Sequence, residues 1–201
     1  LDFLASIMDW KIYYETWTVL VDTYNFSGQT NTGLKEVQEM FNDAMKRDYK
    51  YGIGMSYYSM GNVYANMHNT EEADSSYQKS LSTLLAISPK PFQLTDVFAA
   101  YGDVLELRKD HKRLNDLTIQ WKKFLTEHFS TRKDQAEDTN SWAWYYLACA
   151  QAALGLGELD KASLMLDELK KRAGGEDSYK YMKWLYYRAE LCMKQGFYEE
   201  A

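Results

Sequence analysis

The chain has 201 residues, 46% of them apolar, with a net charge of −6 and a pI near 5.2. Apolar content of this size supports a packed interior, while the acidic balance lacks the basic footprint that nucleic acid or an anionic membrane surface requires. The longest apolar candidate, Trp142 to Leu154, interrupted by Gln151, falls short of the ~20 residues of a membrane span.

In chain order, Leu1 already lies inside an amphipathic pattern, with neither an initiator Met nor a signal peptide before it. The expectation is a piece of a longer protein whose compartment, periplasmic or cytoplasmic, is not readable. Tyr14, Trp17, Thr18 and Val21 then fall on one helical face, followed by Val37, Phe41 and Ala44 on a second. A longer connection, Tyr24 to Thr32, is expected between them. Tyr57, Met60, Gly61 and Tyr64 mark the next helix. Asn69 is placed to cap its partner, with Glu72 as the reciprocal member of a capping box. Ala73, Tyr77 and Ser80 form that partner's inner face. Gly61 and Ala73 are small where two helices must approach closely.

Pro89 and Pro91, the two prolines, break the pattern once. Phe98, Tyr101, Gly102 and Leu105 follow, then Leu114, Thr118 and Trp121. A polar run, Ser130 to Ser141, precedes Tyr146, Cys149, Ala150 and Ala153, which are paired with Ala162, Leu166 and Leu169. After Ala173 to Ser178, the last helix carries Leu185, Arg188, Ala189 and Cys192. A polar turn followed by a small residue recurs as Asn69 to Ala73, Gly157 to Ala162 and Gly196 to Ala201. The residues that open each second helix, Val37, Ala73, Leu114, Ala162 and Ala201, stand 36, 41, 48 and 39 residues apart. Recurrence near forty residues signals a solenoid of helix pairs.

These positions resemble the tetratricopeptide repeat. In that family a large residue, a Leu-like residue, a Gly or Ala and a Tyr mark the first helix, and Ala, an aromatic and Ala mark the second. The resemblance implies an all-α fold: a right-handed superhelical solenoid of antiparallel helix pairs, forming one domain over 1–201. Its units span about 6–47, 51–87, 92–129, 141–172 and 179–201, the last truncated. Units longer than the usual ~34 residues resemble those of bacterial sensor histidine kinases and transcriptional regulators.

The first helices of such arrays line a concave groove. The resemblance places there Glu15 and Val19, then Met55, Tyr58, Asn62 and Asn66. Asp96, Asp103 and Glu106 follow, then Leu147 and Gln151, and finally Lys183, Tyr186 and Glu190. A groove acidic at its middle, flanked by Tyr and Asn, favours a positively charged protein or peptide segment. The subfamily clamp for a C-terminal carboxylate is not expected, because acids stand where its cations belong. The final helix presents Leu185, Ala189 and Cys192 for a missing partner, so a homodimer through that end is a further expectation.

No metal, cofactor or catalytic constellation is expected. His68, His111 and His128 lack ligand spacing and read as solvated turn residues. Ser76-Tyr77-Gln78-Lys79 falls inside a helix, and Gly52-Ile53-Gly54 lacks the strand and Lys of a phosphate loop. Asn25-Phe26-Ser27 is a glycosylation triplet. Cys149 and Cys192, 43 residues apart, read as buried thiols. The expected role is a non-enzymatic interaction or sensory module of a signalling protein. A free-standing scaffold is the alternative, and a helical ligand-binding lipoprotein or enzyme a third reading.

Overall fold

A computed structural model describes residues 9–130 and 139–197. Among them are nine α-helices and no strand. They are α1 (Trp10–Phe26), α2 (Thr30–Lys46), α3 (Lys50–Asn66), α4 (Thr70–Leu85), α5 (Leu94–Leu107), α6 (His111–Ser130), α7 (Thr139–Leu156), α8 (Leu159–Arg172) and α9 (Tyr179–Gln195). The expected residues 6–8 of the first unit, the middle of the Ser130 to Ser141 run, and Tyr198 to Ala201 of the third recurring phrase lie outside the described residues.

The chain divides into two compact units, Leu1–Val104 and Leu105–Ala201. In the first, α1 packs on α2 and α3, α2 on α3, and α3 on α4. In the second, α7 packs on α6, α8 and α9, and α8 on α9. Helices therefore touch their immediate neighbours and, in α1 with α3 and α7 with α9, the next but one. This packing of contiguous neighbours is what a helical repeat requires.

One backbone device closes each helix hairpin. Gly28, His68, Lys109, Gly157 and Gly196 take positive φ, between 57° and 84°. The next N–H, on Gln29, Asn69, Asp110, Glu158 and Phe197, then reaches back to the carbonyls of Tyr24, Tyr64, Leu105, Ala153 and Cys192 at 2.8–2.9 Å. This satisfies a carbonyl that the helix end leaves without an internal partner. Glycine adopts the left-handed conformation without a Cβ clash; His68 and Lys109 adopt it at a cost. Side chains complete three of the helix starts: Asp9 accepts from Ile12 N–H, Asn69 from Glu72 N–H, and Ser178 from Tyr181 N–H.

Three local expectations change. The capping box at Asn69 is one-sided, because its own N–H is already given to the Tyr64 carbonyl. The long Tyr24 to Thr32 connection shrinks to Ser27, Gly28 and Gln29. Asn25 and Phe26 read as loop residues, yet they continue α1, and Asn25 is buried. The first pair is consequently one turn out of register with the sequence reading. Helices α1 and α3 begin and end 40 residues apart, so Val21 matches Gly61, and Gly33, rather than Val37, takes the place of Ala73. Finally, His111 is no solvated turn residue: it opens α6 with its side chain 18% exposed.

Close approach explains glycines that resembled a motif. A Cβ on Gly61 would stand 2.5 Å from the Tyr77 ring, and one on Gly54 2.5 Å from Leu84. Gly52 leaves room for the Tyr14 ring in the same way, at 2.8 Å. In the second unit the core is Ala-rich on α7, with Ala143, Ala150 and Ala153 beneath Leu166, Leu169, Trp184 and Leu191. Leu147 belongs to this core and is not a groove residue. Small residues there let α8 and α9 both reach α7, which explains why α7 is apolar on nearly every face. Cys149 and Cys192 are free thiols, both buried.

Candidate functional site

The 40-residue register aligns side chains on α1, α3 and α5 within the first unit. Glu15, Met55 and Asp96 are equivalent positions, as are Asp22, Asn62 and Asp103. Thr18, Tyr58 and Ala99 form a third row. Asn62 stands at the centre. Its Nδ2 donates to Asp22 Oδ1 at 3.2 Å, and its Oδ1 accepts from the Tyr77 hydroxyl at 2.7 Å. Tyr58 lies beside Tyr77, with ring centroids 6.2 Å apart. Glu15 Oε1 accepts from the Tyr51 hydroxyl at 2.9 Å and from Gln93 Nε2 at 2.6 Å. Lys11, one turn away, approaches it to 3.6 Å.

The electrostatics follow from this crowding of acids around aromatic rings. Burial pushes the Tyr58 phenol up to about 12; the Asn62 amide draws it down, and the charges of Asp96 and Asp22 raise it. Tyr77 is raised chiefly by burial, then by the Tyr58, Asp103 and Asp22 charges. Tyr51 is raised by burial and by Glu15. Burial also lifts the Asp22 carboxyl above the usual range, against the Asn62 hydrogen bond that lowers it. The result is a face with Glu15, Asp22, Asp96 and Asp103 arranged about neutral phenols. Asp96 and Asp103 are exposed.

Of the residues expected in a groove, the structure brings Glu15, Tyr58, Asn62, Asp96 and Asp103 to this face. Met55 shares their register but is buried. Asn66 is exposed at the last turn of α3, and Val19 is 64% exposed on α1. Sequence reasoning missed Asp22, which its own helix pattern masks. Once Gly28 is matched to His68, the repeat period projects Asp22 onto Asn62.

Within the second unit, Glu106, Gln151 and Glu190 converge on a cavity of about 220 Å³. Its floor is Gln151, Tyr187 and Leu154, all buried, with Gln151 Nε2 donating to the Tyr187 hydroxyl at 2.7 Å. Glu106 and His111 form one wall, and Lys109, Glu190 and Lys194 the rim. Lys109 Nζ reaches Glu106 Oε1 at 2.7 Å, and Lys194 Nζ approaches Glu190 Oε1 at 3.6 Å. His111 Nε2 lies 3.2 Å from Glu106 Oε2, close enough for an ion pair but off the hydrogen-bond line, so this buried oxygen accepts no hydrogen bond. Gly155 gives the His111 ring its place: a Cβ there would stand 2.0 Å from the imidazole Cγ.

Lys183 and Tyr186 stay outside this cavity. Lys183 Nζ lies 5.3 Å from the Tyr179 ring centroid, and Tyr186 projects into solvent, packed edge-on against Tyr187. The adjacent aromatics Trp142 and Trp144 pack against Tyr145, Tyr146 and Tyr179.

Among the described residues no group of three or more His, Cys, Asp and Glu side chains is placed to hold a metal. No helix among them is long and apolar enough to cross a membrane. Asn25 of the glycosylation triplet is 5% exposed. Compared with family models, curated proteins and solved structures, the chain matches none.

Proposed function

We propose that the chain is a tetratricopeptide-like, right-handed helical solenoid without catalytic activity, which binds a basic segment of a protein partner. The binding surface is the α1–α3–α5 face of the first unit. The observation that carries this reading is the alignment of Glu15, Asp22, Asp96 and Asp103 around Tyr58 and Asn62 by one 40-residue register. Carboxylates repeated along consecutive first helices offer Lys or Arg side chains a series of partners. The Tyr58 ring offers a flat surface on which a cation or an apolar side chain packs. Burial that raises Asp22 also supports the reading, since an arriving cation restores its charged form.

The favoured setting is the interaction or sensory part of a bacterial signal-transduction protein, a sensor histidine kinase or a transcriptional regulator. A kinase or DNA-binding module in the same reading frame supports that setting; a frame holding further repeats alone makes the protein a scaffold.

The test is fluorescence anisotropy with labelled peptides of matched length and apolar content but opposite net charge. The basic peptide binds and the acidic one does not, and charge reversal at Asp22 and Asp96 to Lys removes the difference. Equal binding of both peptides by the native chain overturns the reading.

A further inference from the structure

The second-unit cavity stands apart from the acidic face, uses different residues and carries both signs of charge. Glu106 and Glu190 face Lys109 and Lys194 around about 220 Å³, the volume of roughly seven waters at ~30 Å³ each. Each ammonium is paired with a carboxylate of its own helix or turn, three or four residues away. These pairs are local and rim-exposed: the Lys109 side chain is 70% exposed and that of Lys194 43%. Exposed pairs of this kind are weak and exchange readily for a ligand's charges. Deeper in, Glu106 Oε2 is buried and accepts no hydrogen bond, although His111 lies beside it. A buried carboxylate oxygen in that condition favours an additional N–H donor.

We propose that this cavity binds a small zwitterion of the α-amino-acid class. Its ammonium lies between Glu106 and Glu190, donating to Glu106 Oε2. Its carboxylate is taken by Lys109 and Lys194 at the rim. A short aliphatic side chain rests on Leu154, while Gln151, held by its bond to Tyr187, presents amide polarity to the ligand's polar end. A ligand carrying one charge leaves one of the two local pairs broken without replacement, so the site discriminates by requiring both charges. The small volume excludes drug-sized molecules, whose pockets begin near ~300 Å³.

Isothermal titration of the full chain with free aliphatic amino acids tests this. Free leucine, valine or alanine binds saturably, while N-acetyl and amide derivatives of the same amino acid bind at least about tenfold more weakly. Glu190→Gln and Lys194→Ala, both at the rim, each weaken the free amino acid while circular dichroism remains native. The Asp22→Lys change on the first unit leaves amino-acid binding as it was, which separates failure here from failure of the basic-segment face. Absence of saturable binding by any of the three at millimolar concentration overturns the proposal. So does binding that is indifferent to blocking either charged group of the ligand.

Discussion

The Tyr77 hydroxyl donates to Asn62 Oδ1 across 2.7 Å, and the ring of the same tyrosine covers Gly61, one residue earlier on the helix. A second-helix residue thus fixes both the packing of its hairpin and the orientation of the central polar side chain on the binding face. Replacing Tyr77 by Phe keeps the ring and removes the bond. The expected loss is about 0.5–1.5 kcal/mol of stability. Basic-peptide affinity falls as well, because the Asn62 amide no longer holds Asp22 from a fixed position. Urea denaturation and peptide anisotropy on the same variant separate the two effects.

Gly61→Ala pits two terms against each other. Alanine in a helix interior gains about 1 kcal/mol over glycine. The added methyl meets the Tyr77 ring at 2.5 Å, and overpacking of this kind costs about 1–3 kcal/mol. The ring is tied at its hydroxyl and cannot swing clear without breaking the Asn62 bond, so the clash wins and the variant is less stable. A variant more stable than the native chain in a urea titration contradicts this packing.

The turn residues give the opposite sign. His68 holds φ of 58° in an exposed turn, where Gly28 and Gly157 hold 77° and 76°. A non-glycine residue there costs about 1–2 kcal/mol, part of which glycine returns through its freer unfolded state. His68→Gly is therefore expected to raise stability by up to about 1 kcal/mol, seen as a higher urea midpoint with an unchanged slope. Gly157→Ala is expected to lower it, although nothing lies within 4 Å of the new methyl.

Two carboxyls of the first unit respond to pH in opposite directions. Asp22 has a raised pKa in the fold, chiefly through burial. The folded state therefore holds its proton more tightly than the unfolded chain does. Stability falls as pH rises from the usual carboxylate value, near 4, through the raised one. Asp22→Asn removes this penalty and is more stable than the native chain at neutral pH, an advantage that vanishes at pH 3. Burial also acts to raise Asp43, but hydrogen bonds from Arg47 and Tyr14 and the charges of Arg47 and Lys46 outweigh it and hold the carboxyl low. Its contribution is present above the unfolded value and is lost as pH falls through the lowered folded one. Asp43→Asn is accordingly less stable at neutral pH, with the deficit shrinking in acid. Thermal melts between pH 3 and 7 read both signs.

Cys149 and Cys192 are both buried, and burial raises the Cys149 thiol further against the hydrogen bonds of Tyr145 and Thr118. Both thiols are expected to react with an aromatic disulfide reagent far more slowly than in denaturant. Fast labelling of either in the native protein contradicts the packing around α7.

The helices and most hairpin turns are legible in the sequence because glycines, caps and 3.6-residue spacing act locally. Tyr57 to Tyr64 and Ala73 to Ser80 read correctly for this reason. The first pair does not: Asn25 and Ser27 favour turns, so the turn is assigned too early and the register slips by one helical turn. Only tertiary burial of Asn25 keeps α1 intact through Phe26. That slip is also what conceals Asp22, since equivalence to Asn62 depends on placing Gly28 beside His68. The cavity of the second unit is half legible. Glu106, Gln151 and Glu190 follow from the repeat resemblance, whereas His111 joins them because Gly155 admits its ring, a relation between residues 44 positions apart that no spacing rule encodes.

The most direct test of the central claim is the salt-dependent affinity of the native chain, and of the Asp22→Lys, Asp96→Lys double variant, for one basic peptide. The account predicts saturable binding by the native chain that weakens as salt screens the carboxylates. It predicts a loss of at least about tenfold, or 1.4 kcal/mol, in the double variant, with helicity retained. Native affinity in the double variant, or binding indifferent to salt, contradicts it.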